Sequence, residues 1–130
     1  DGLAVGLHVC LGLPDVDEAI EDLVVVGDST PFPVRLTGTL TNVAMHVIKA
    51  PNPQFGGHGS GQPMALQEDI KASSIEGHVV GFYAPEHLLG VITHPGEPFH
   101  YHWVDADRTR TAHLDAFGMA KGAMLLLPKK

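Results

Sequence analysis

Along most of the chain, apolar and polar residues alternate in short runs, which clusters of glycine, proline and polar residues interrupt. Alternation with a period of two is typical of β-strands that bury one face. Residues 15–23 differ, because their apolar positions recur at helical spacing behind an acidic first turn, with Asp15 as the candidate N-cap. We therefore predict one domain over residues 1–130 that is mainly β (α+β), with a mixed or antiparallel sheet, or a half-barrel, and short helices.

The turn residues set the boundaries of the predicted elements. Within residues 34–49 the apolar positions are even up to Leu40 and odd from Val43, which predicts either a β-bulge near Asn42 or two separate strands. Residues 51–63 are rich in proline and glycine and predict an exposed loop; residues 64–72 predict one or two helical turns. Further strands are predicted at residues 1–13, 24–26, 75–83, 90–94, 99–104, 110–117 and 120–127.

Composition narrows the class of partner. The 44% of hydrophobic and 18% of charged residues are typical of a globular domain. The net charge of −7 disfavours nucleic acid, whose phosphates require a basic surface. No apolar run approaches the roughly 18 residues of a membrane span, so we expect no membrane partner. A homodimer is compatible with a small sheet, because pairing would hide its exposed edges.

Two features bear on the compartment. The single cysteine, Cys10, excludes an intramolecular disulfide and lies in an apolar segment, so we expect a buried structural thiol. The sequence starts at Asp1 rather than at methionine, which fits either a shortened chain or the removal of a signal peptide. We favour a secreted or periplasmic location over a cytoplasmic one.

The predicted strand at residues 99–104 carries the most informative pattern. Because side chains alternate between the faces of a strand, Phe99, Tyr101 and Trp103 point to one face and His100 and His102 to the other. The aromatic face fits the core. The two histidines are separated by about 7 Å at their Cα atoms, close enough to converge on one ion.

A third histidine completes this pattern. If the chain turns at residues 105–110, His113 returns opposite His102, with Cβ atoms about 5 Å apart and His100 on the diagonal at about 7 Å. Three imidazoles on one face can each place a nitrogen about 2 Å from a common Zn²⁺. We therefore predict that His100, His102 and His113 bind a metal ion. The alternative is three unrelated histidines on a polar sheet face.

Three histidines leave a tetrahedral ion one open position, which is typical of catalytic rather than structural zinc. Asp115 follows His113 by two residues on the same predicted face and is a candidate acceptor that fixes a histidine tautomer. Zn²⁺ fits this donor set first, and Cu²⁺ or Ni²⁺ fit it as well.

A longer stretch places these histidines in a recognisable order of motifs. The run IEGHVVGFYAPEHLLG at residues 75–90 is followed by FHYHW at residues 99–103, by DR at residues 107–108 and by His113. This stretch resembles the metal-binding half of bacterial α-acetolactate decarboxylase. That family shows a Gly-x-x-Val-Gly-Phe-x-x-Pro strand and turn, a His-x-His, an Asp-Arg and a third histidine at this spacing. The resemblance covers residues 34–117, with Gly38 and Thr39 as a weaker anchor upstream.

The resemblance implies a Zn²⁺ enzyme that decarboxylates (S)-2-acetolactate to (R)-acetoin, with His100, His102 and His113 on the ion. It also implies an arginine near the metal, and aligning Gly38 and Thr39 with their counterparts places His46 at that position. Two further family carboxylates lie in segments that this sequence does not match; Asp115, Glu97 and Glu76 are the available substitutes.

His46 has two interpretations near the site: a fourth imidazole on the ion, or an acid or base beside it. An ordinary hydrogen-bonded histidine on a strand is the alternative. We favour an ordinary role for His78 and His94 as well, and a solvated side chain for the loop residue His58. Three functions follow: a zinc-dependent lyase on a small hydroxy-keto acid, with His46 and Asp115 as catalytic residues; a carrier or sensor of Cu²⁺, Ni²⁺ or Zn²⁺; and a zinc-dependent hydrolase.

Overall fold

The strands form one antiparallel sheet in the computed structural model, which describes residues 2–23, 30–57, 59–61 and 65–128. The prediction of a mainly β fold with little helix is therefore confirmed. A single turn of 3₁₀ helix lies at Glu86–Leu88. In chain order the other elements are β1 (Gly2–Gly6), β2 (Leu11–Gly12), α1 (Leu13–Asp22), β3 (Phe32–Pro51), β4 (Ala65–Tyr83), β5 (Phe99–Val104), β6 (Thr111–Met119) and β7 (Met124–Pro128).

The long strand β3 organises the sheet. The strand order is β1-β7-β3-β4-β5-β6-β2, with an additional pairing between β3 and β6. The first half of β3 pairs with β7 and its second half with β6, while β4 lies along its other edge. The pairings β3–β4, β4–β5, β5–β6 and β6–β3 thus form a closed circuit. Closure pairs the two edges, one of β3 and one of β6, that an open four-stranded sheet would leave free, and it encloses an apolar interior.

The change of phase in β3 is a bulge within one strand. Asn42 has a φ of 49°, and the register against β6 shifts between Thr41 and Ala44. Buried positions change accordingly from Leu36 and Leu40 to Val43 and Met45. An extra residue bends a strand and increases its twist, which lets β3 leave β7 and join β6. The bulge predicted near Asn42 is confirmed.

The core lies between the enclosed face of the sheet and helix α1. The helix buries Val16 and Ile20, which are one turn apart and face β6. Burial of such side chains supplies most of the free energy that holds a short helix in place. The largest fully buried side chains are Ile20, Leu36, Leu40, Met119, Leu125, Val16, Val34 and Val79.

Glycines of β4 make room for the aromatic face of β5. A Cβ atom at Gly81 would lie 2.6 Å from Cδ1 of Tyr101, and one at Gly77 would lie 2.5 Å from Nε1 of Trp103. Both distances are shorter than a carbon contact permits, so no larger residue fits without movement. Phe99, Tyr101 and Trp103 are each about 95% buried, as predicted, with 4–5% of their surface exposed.

The β5–β6 hairpin forms with the predicted register. His102 pairs directly with His113, and Trp103 pairs with Ala112. The turn is held by the buried Asp105 carboxylate, which accepts hydrogen bonds from the backbone N–H groups of Thr109 and Arg110. The Thr109 hydroxyl and Arg110 Nε donate to the same carboxylate.

Residues 64–72 were expected to form helical turns, and this prediction is wrong. Residues 65–72 belong to β4 and pair with β3, so that Gln67 lies opposite Ile48 and Asp69 opposite His46. The polar composition of the segment fits a helix surface locally. Pairing along the whole of β3 overrides that local preference.

The first strand and the strand at residues 90–94 also need correction. Strand β1 ends at Gly6, and α1 begins at Leu13 with Pro14 in its first turn, where proline is tolerated; Gly12 rather than Asp15 is the N-cap. At residues 90–94 the N–H groups of Val91 and Ile92 bond to the Leu88 carbonyl, so the segment is a turn.

Cys10 is exposed rather than buried, because it lies in the connection between β1 and β2. The predicted strand at residues 24–26 and the loop residue His58 lie outside the described residues. Among the residues described, no helix has the length and apolarity that crossing a membrane requires.

Candidate metal centre

His100, His102 and His113 converge on the outward face of the β5–β6 hairpin, and we call them the histidine trio. One ring nitrogen of each lies within 4.8 Å of the others. The ring centroids of His102 and His113 are 4.3 Å apart, and those of His100 and His102 are 4.8 Å apart. Each residue is partly buried. The alternation of β5 and the register of the hairpin produce this convergence.

The donor set fits a divalent metal ion. Nε2 of His100 lies 2.8 Å from Nε2 of His102, so one of these nitrogens donates a hydrogen bond to the other. Two nitrogens on one tetrahedral Zn²⁺ are about 3.3 Å apart for bonds of about 2 Å. A change of a few tenths of an ångström, within reach of two imidazole rings on one strand, would bring the pair to that spacing. The trio could therefore hold an ion.

Electrostatics favour the neutral form of all three imidazoles. Burial lowers the pKa of His100, His102 and His113 below the ordinary value of 6.5, and neighbouring imidazoles lower it further. Glu97 opposes this effect at His100, and Asp115 opposes it at His113. Neutral imidazole is the form that binds metal ions, so the trio is in its ligand form at neutral pH.

His46 lies beside the trio, on the neighbouring strand. It pairs with His113 across β3 and β6, and the two rings stack with centroids 5.0 Å apart and 12° between their planes. Nδ1 of His46 donates a hydrogen bond to Oδ2 of Asp115 at 2.8 Å. This bond places the proton on Nδ1 and leaves Nε2 as an acceptor. The structure thus brings His46 and Asp115 together, and Asp115 contacts His46 rather than a member of the trio.

A cleft of about 590 Å³ opens beside the trio. One of the histidines that line this cleft was not predicted as a site residue from the sequence. His94, for which an ordinary role was favoured, contacts the ring of His100 edge-on at a centroid distance of 5.2 Å. It lies in the connection between β4 and β5, where no periodicity indicates a direction for the side chain. The lining comprises Leu13, Asp17, His46, Gln67, His94, Glu97, Pro98, Phe99, His100, Tyr101, His113, Leu114 and Asp115.

A second feature that sequence reasoning missed is the pair of Asp17 and Tyr101. The Tyr101 hydroxyl donates a hydrogen bond to Oδ1 of Asp17, which joins α1 to β5, the strand that carries His100 and His102. Burial raises the pKa of Asp17 despite this hydrogen bond, and the nearby charges of Glu21 and Glu97 raise it further. Burial and the Asp17 contact raise the pKa of Tyr101, which stays protonated. The spacing of 84 residues leaves no sequence signal for the pair.

The remaining candidates divide between the cleft and other parts of the sheet. Glu97 lines the cleft, whereas Glu76 is not among the residues that line it. His78 lies on β4, where its Nδ1 is 3.0 Å from the Thr37 hydroxyl. That contact agrees with the ordinary structural role favoured for His78.

Solved structures of similar fold come from the acetolactate decarboxylases. The alpha-acetolactate decarboxylase of Bacillus subtilis strain 168 aligns with a TM-score of 0.73 at 14% identity, over 98% of this chain and 52% of that one. A Staphylococcus aureus protein of unknown function, similar to alpha-acetolactate decarboxylase, aligns with a TM-score of 0.63 at 23% identity, over 98% and 50% of the two chains. The chain thus spans about half the length of these proteins, and at such identities the likeness establishes the fold.

Sequence comparison gives the family directly. No curated protein sequence matches the chain significantly. The family model described as alpha-acetolactate decarboxylase matches residues 10–127, which is most of the chain and includes the whole trio. The resemblance recognised between residues 34 and 117 therefore extends almost from end to end, and the chain belongs to the alpha-acetolactate decarboxylase family.

Proposed function

We propose that the chain binds one divalent metal ion through His100, His102 and His113 and presents it to a small oxygen-bearing ligand. The observation that carries this proposal is the convergence of three ring nitrogens within 4.8 Å, on a rigid hairpin. We propose Zn²⁺ as the ion, because it accepts three imidazoles and one exchangeable ligand; Cu²⁺ and Ni²⁺ are the alternatives.

Family membership supports a lyase reaction on a small hydroxy-keto acid. An ion on the trio would supply Lewis-acid chemistry, which stabilises negative charge on a carbonyl oxygen. His46 would accept a proton at Nε2, because Asp115 holds the other ring proton at Nδ1. The cleft lies against His46, His100 and His113, so a ligand there would contact both the proposed base and the proposed ion site. His46 and Asp115 are accordingly the proposed catalytic pair.

A second candidate function is metal carriage or sensing. Its support is the number of imidazoles: His46 stacks on His113 and His94 contacts His100, so five histidine rings lie together in this part of the described chain. A site with four imidazole ligands would be closed to substrate, as structural sites are. A zinc-dependent hydrolase would need the same open position as the lyase.

The ligand count at the ion separates the proposed functions. X-ray absorption spectroscopy of the Zn²⁺-loaded protein should give three imidazole ligands and one exchangeable oxygen ligand. The His46→Ala variant should give the same count if His46 is a base. Four imidazoles in the wild type, falling to three in His46→Ala, would instead support carriage. His78→Ala is the matched control, since His78 bonds to Thr37 away from the trio.

We propose a homodimer, independently of the metal site. Strands β1 and β2 form the two ends of the strand order, and their pairing with a second copy would produce the homodimer expected from the sequence. Light scattering coupled to size exclusion would measure the mass directly.

We also propose that residues 1–130 fold as one domain, which a single cooperative unfolding transition would support.

A further inference from the structure

The cleft beside the trio carries acidic side chains and, among the described residues that line it, neither lysine nor arginine. Glu97 lies at its rim on the turn before β5, Asp115 lies beside His46, and Asp17 reaches it from α1. Glu97 and Asp115 are exposed enough to stay hydrated, yet their charges act on His100 and His113 respectively. A ligand that enters the cleft therefore meets negative charge on more than one side.

Arg35, Arg108 and Arg110 are not among the residues that line the cleft. Arg35 lies opposite Val80, which lies opposite His102, so two strand spacings, about 10 Å, separate Arg35 from the trio. Its charge and that of Arg108 act on His78, not on the trio. Arg110 donates to the Asp105 carboxylate and lies over the Trp103 ring. In the part of the chain that the structure describes, no cationic side chain of the cleft is placed to pair with a ligand carboxylate.

We propose that this cleft selects uncharged oxygen chelators, such as α-hydroxy ketones and vicinal diols, and discriminates against ligands with a free carboxylate group. The specificity-determining residues are Glu97 and Asp115, and Asp17 of α1 lines the same cleft. This inference rests on the proposed function, because the trio's ion would bind the chelating oxygens. It qualifies that function: the ion would still bind the hydroxy-keto chelate, whereas a hydroxy-keto acid, which a decarboxylating lyase needs, would bind less tightly than its uncharged analogue.

The size of the expected effect follows from Coulomb's law in a hydrated cleft. One like charge at about 7 Å, in surroundings of intermediate dielectric constant, weakens binding of an anion about threefold to fourfold. Two such charges together weaken it about tenfold, but an ion with one anionic chelating group bound would carry about one positive charge and offset one of them. The net preference for an uncharged ligand is therefore about threefold to fourfold, and salt reduces it. Reversing one of the acidic charges should cancel or reverse this preference.

A matched pair of probes isolates this effect from metal chelation. The monohydroxamates of succinic acid and of succinamide share the chelating group and the chain length, and they differ only in a terminal carboxylate or carboxamide. In titration calorimetry at low ionic strength, the Zn²⁺-loaded protein should bind the carboxamide about threefold to fourfold more tightly. Equal affinities, or tighter binding of the carboxylate, would overturn the inference.

Two charge-reversal variants locate the discrimination. Glu97→Lys should bring the ratio of the two affinities to one or reverse it. Glu76→Lys changes the net charge equally and should keep the ratio near its wild-type value, because Glu76 lies on β4 four residues from Val80 and outside the cleft lining. An equal change in both variants would overturn the assignment to the cleft.

The metal content, measured before and after each titration, distinguishes the two proposals. One Zn²⁺ per chain with no discrimination between the probes would overturn only the inference about charge. Failure to bind the ion would overturn the proposed function and this inference together.

Discussion

Gly81 positions two metal-ligand candidates although it has no side chain. It lies opposite Tyr101 on β5, and a Cβ atom there would be 2.6 Å from the Tyr101 ring and 2.8 Å from the His100 carbonyl oxygen. The close approach of β4 lets the aromatic residues of β5 enter the core, which directs His100 and His102 outward. Residues with no chemistry of their own thus hold the trio in position.

We predict that Gly81→Ala destabilises the fold by about 1–3 kcal/mol, the usual cost of overpacking a close contact. Urea denaturation measures the change in the free energy of unfolding. Gly6→Ala is the control, because its Cβ would meet only the Met124 sulfur at 3.6 Å, an ordinary contact distance. Equal stability of the Gly81 variant and the wild type would contradict the steric argument.

At the scale of the element, the β5–β6 hairpin depends on one buried carboxylate. Burial disfavours ionisation of Asp105, but the hydrogen bonds from Arg110 and Thr109 outweigh it and lower its pKa to about 2. Because the pKa is below its ordinary value of 3.8, the ionised carboxylate stabilises the fold above about pH 4. That contribution is lost as the pH falls from about 4 towards 2.

We predict that Asp105→Asn lowers stability at neutral pH and that its difference from the wild type shrinks between about pH 4 and pH 2. Protonation at low pH removes the negative charge of the Asp105 carboxylate from the wild type, and the substitution has already removed that charge from the variant. Thermal unfolding across this pH range would measure the difference. Asp107→Asn, an exposed acid on the same turn, is the control. A difference that stays constant with pH would contradict the role of the ionised carboxylate.

The hairpin and the bulge could be predicted from sequence, because both leave local signals. The alternation of Phe99 to Trp103 and the length of the turn set the pairing of His102 with His113, and the change of phase after Leu40 marked the bulge. Pairings between distant parts of the chain left no local signal in the sequence. Residues 65–72 form a strand only because β3 lies alongside, and Asp17 meets Tyr101 only when α1 packs on the sheet.

At the scale of the whole molecule, the closed circuit brings His46 to His113 through the β3–β6 pairing. The resemblance aligns His46 with the family's arginine, and the cleft has neither lysine nor arginine among its described lining residues. The residues that could hold an ion are therefore present together, whereas a lysine or arginine that would bind a carboxylate is not found among the described lining residues. We therefore expect the chain to bind an ion but to act weakly on acetolactate.

We predict that acetolactate turnover is weak or absent even with Zn²⁺ bound, since orienting groups of this kind are each worth a factor of about 10² or more. Chiral chromatography of acetoin formed from racemic acetolactate would measure it. His46→Arg should raise turnover if this position contacts the substrate, and should weaken metal binding if His46 is a ligand. Rapid, stereospecific formation of acetoin by the wild type would contradict both this prediction and the proposed charge selectivity.

The central claim is that the histidine trio binds one divalent ion, and metal titration tests it most directly. Titration calorimetry with Zn²⁺ should give one ion per chain for the wild type and for His78→Ala, and no stoichiometric binding for His113→Ala. Because the trio binds as neutral imidazoles, affinity should hold at neutral pH and fall below about pH 6 as protons compete. Full metal retention by His113→Ala, or an affinity unchanged between about pH 7 and pH 5, would contradict the account.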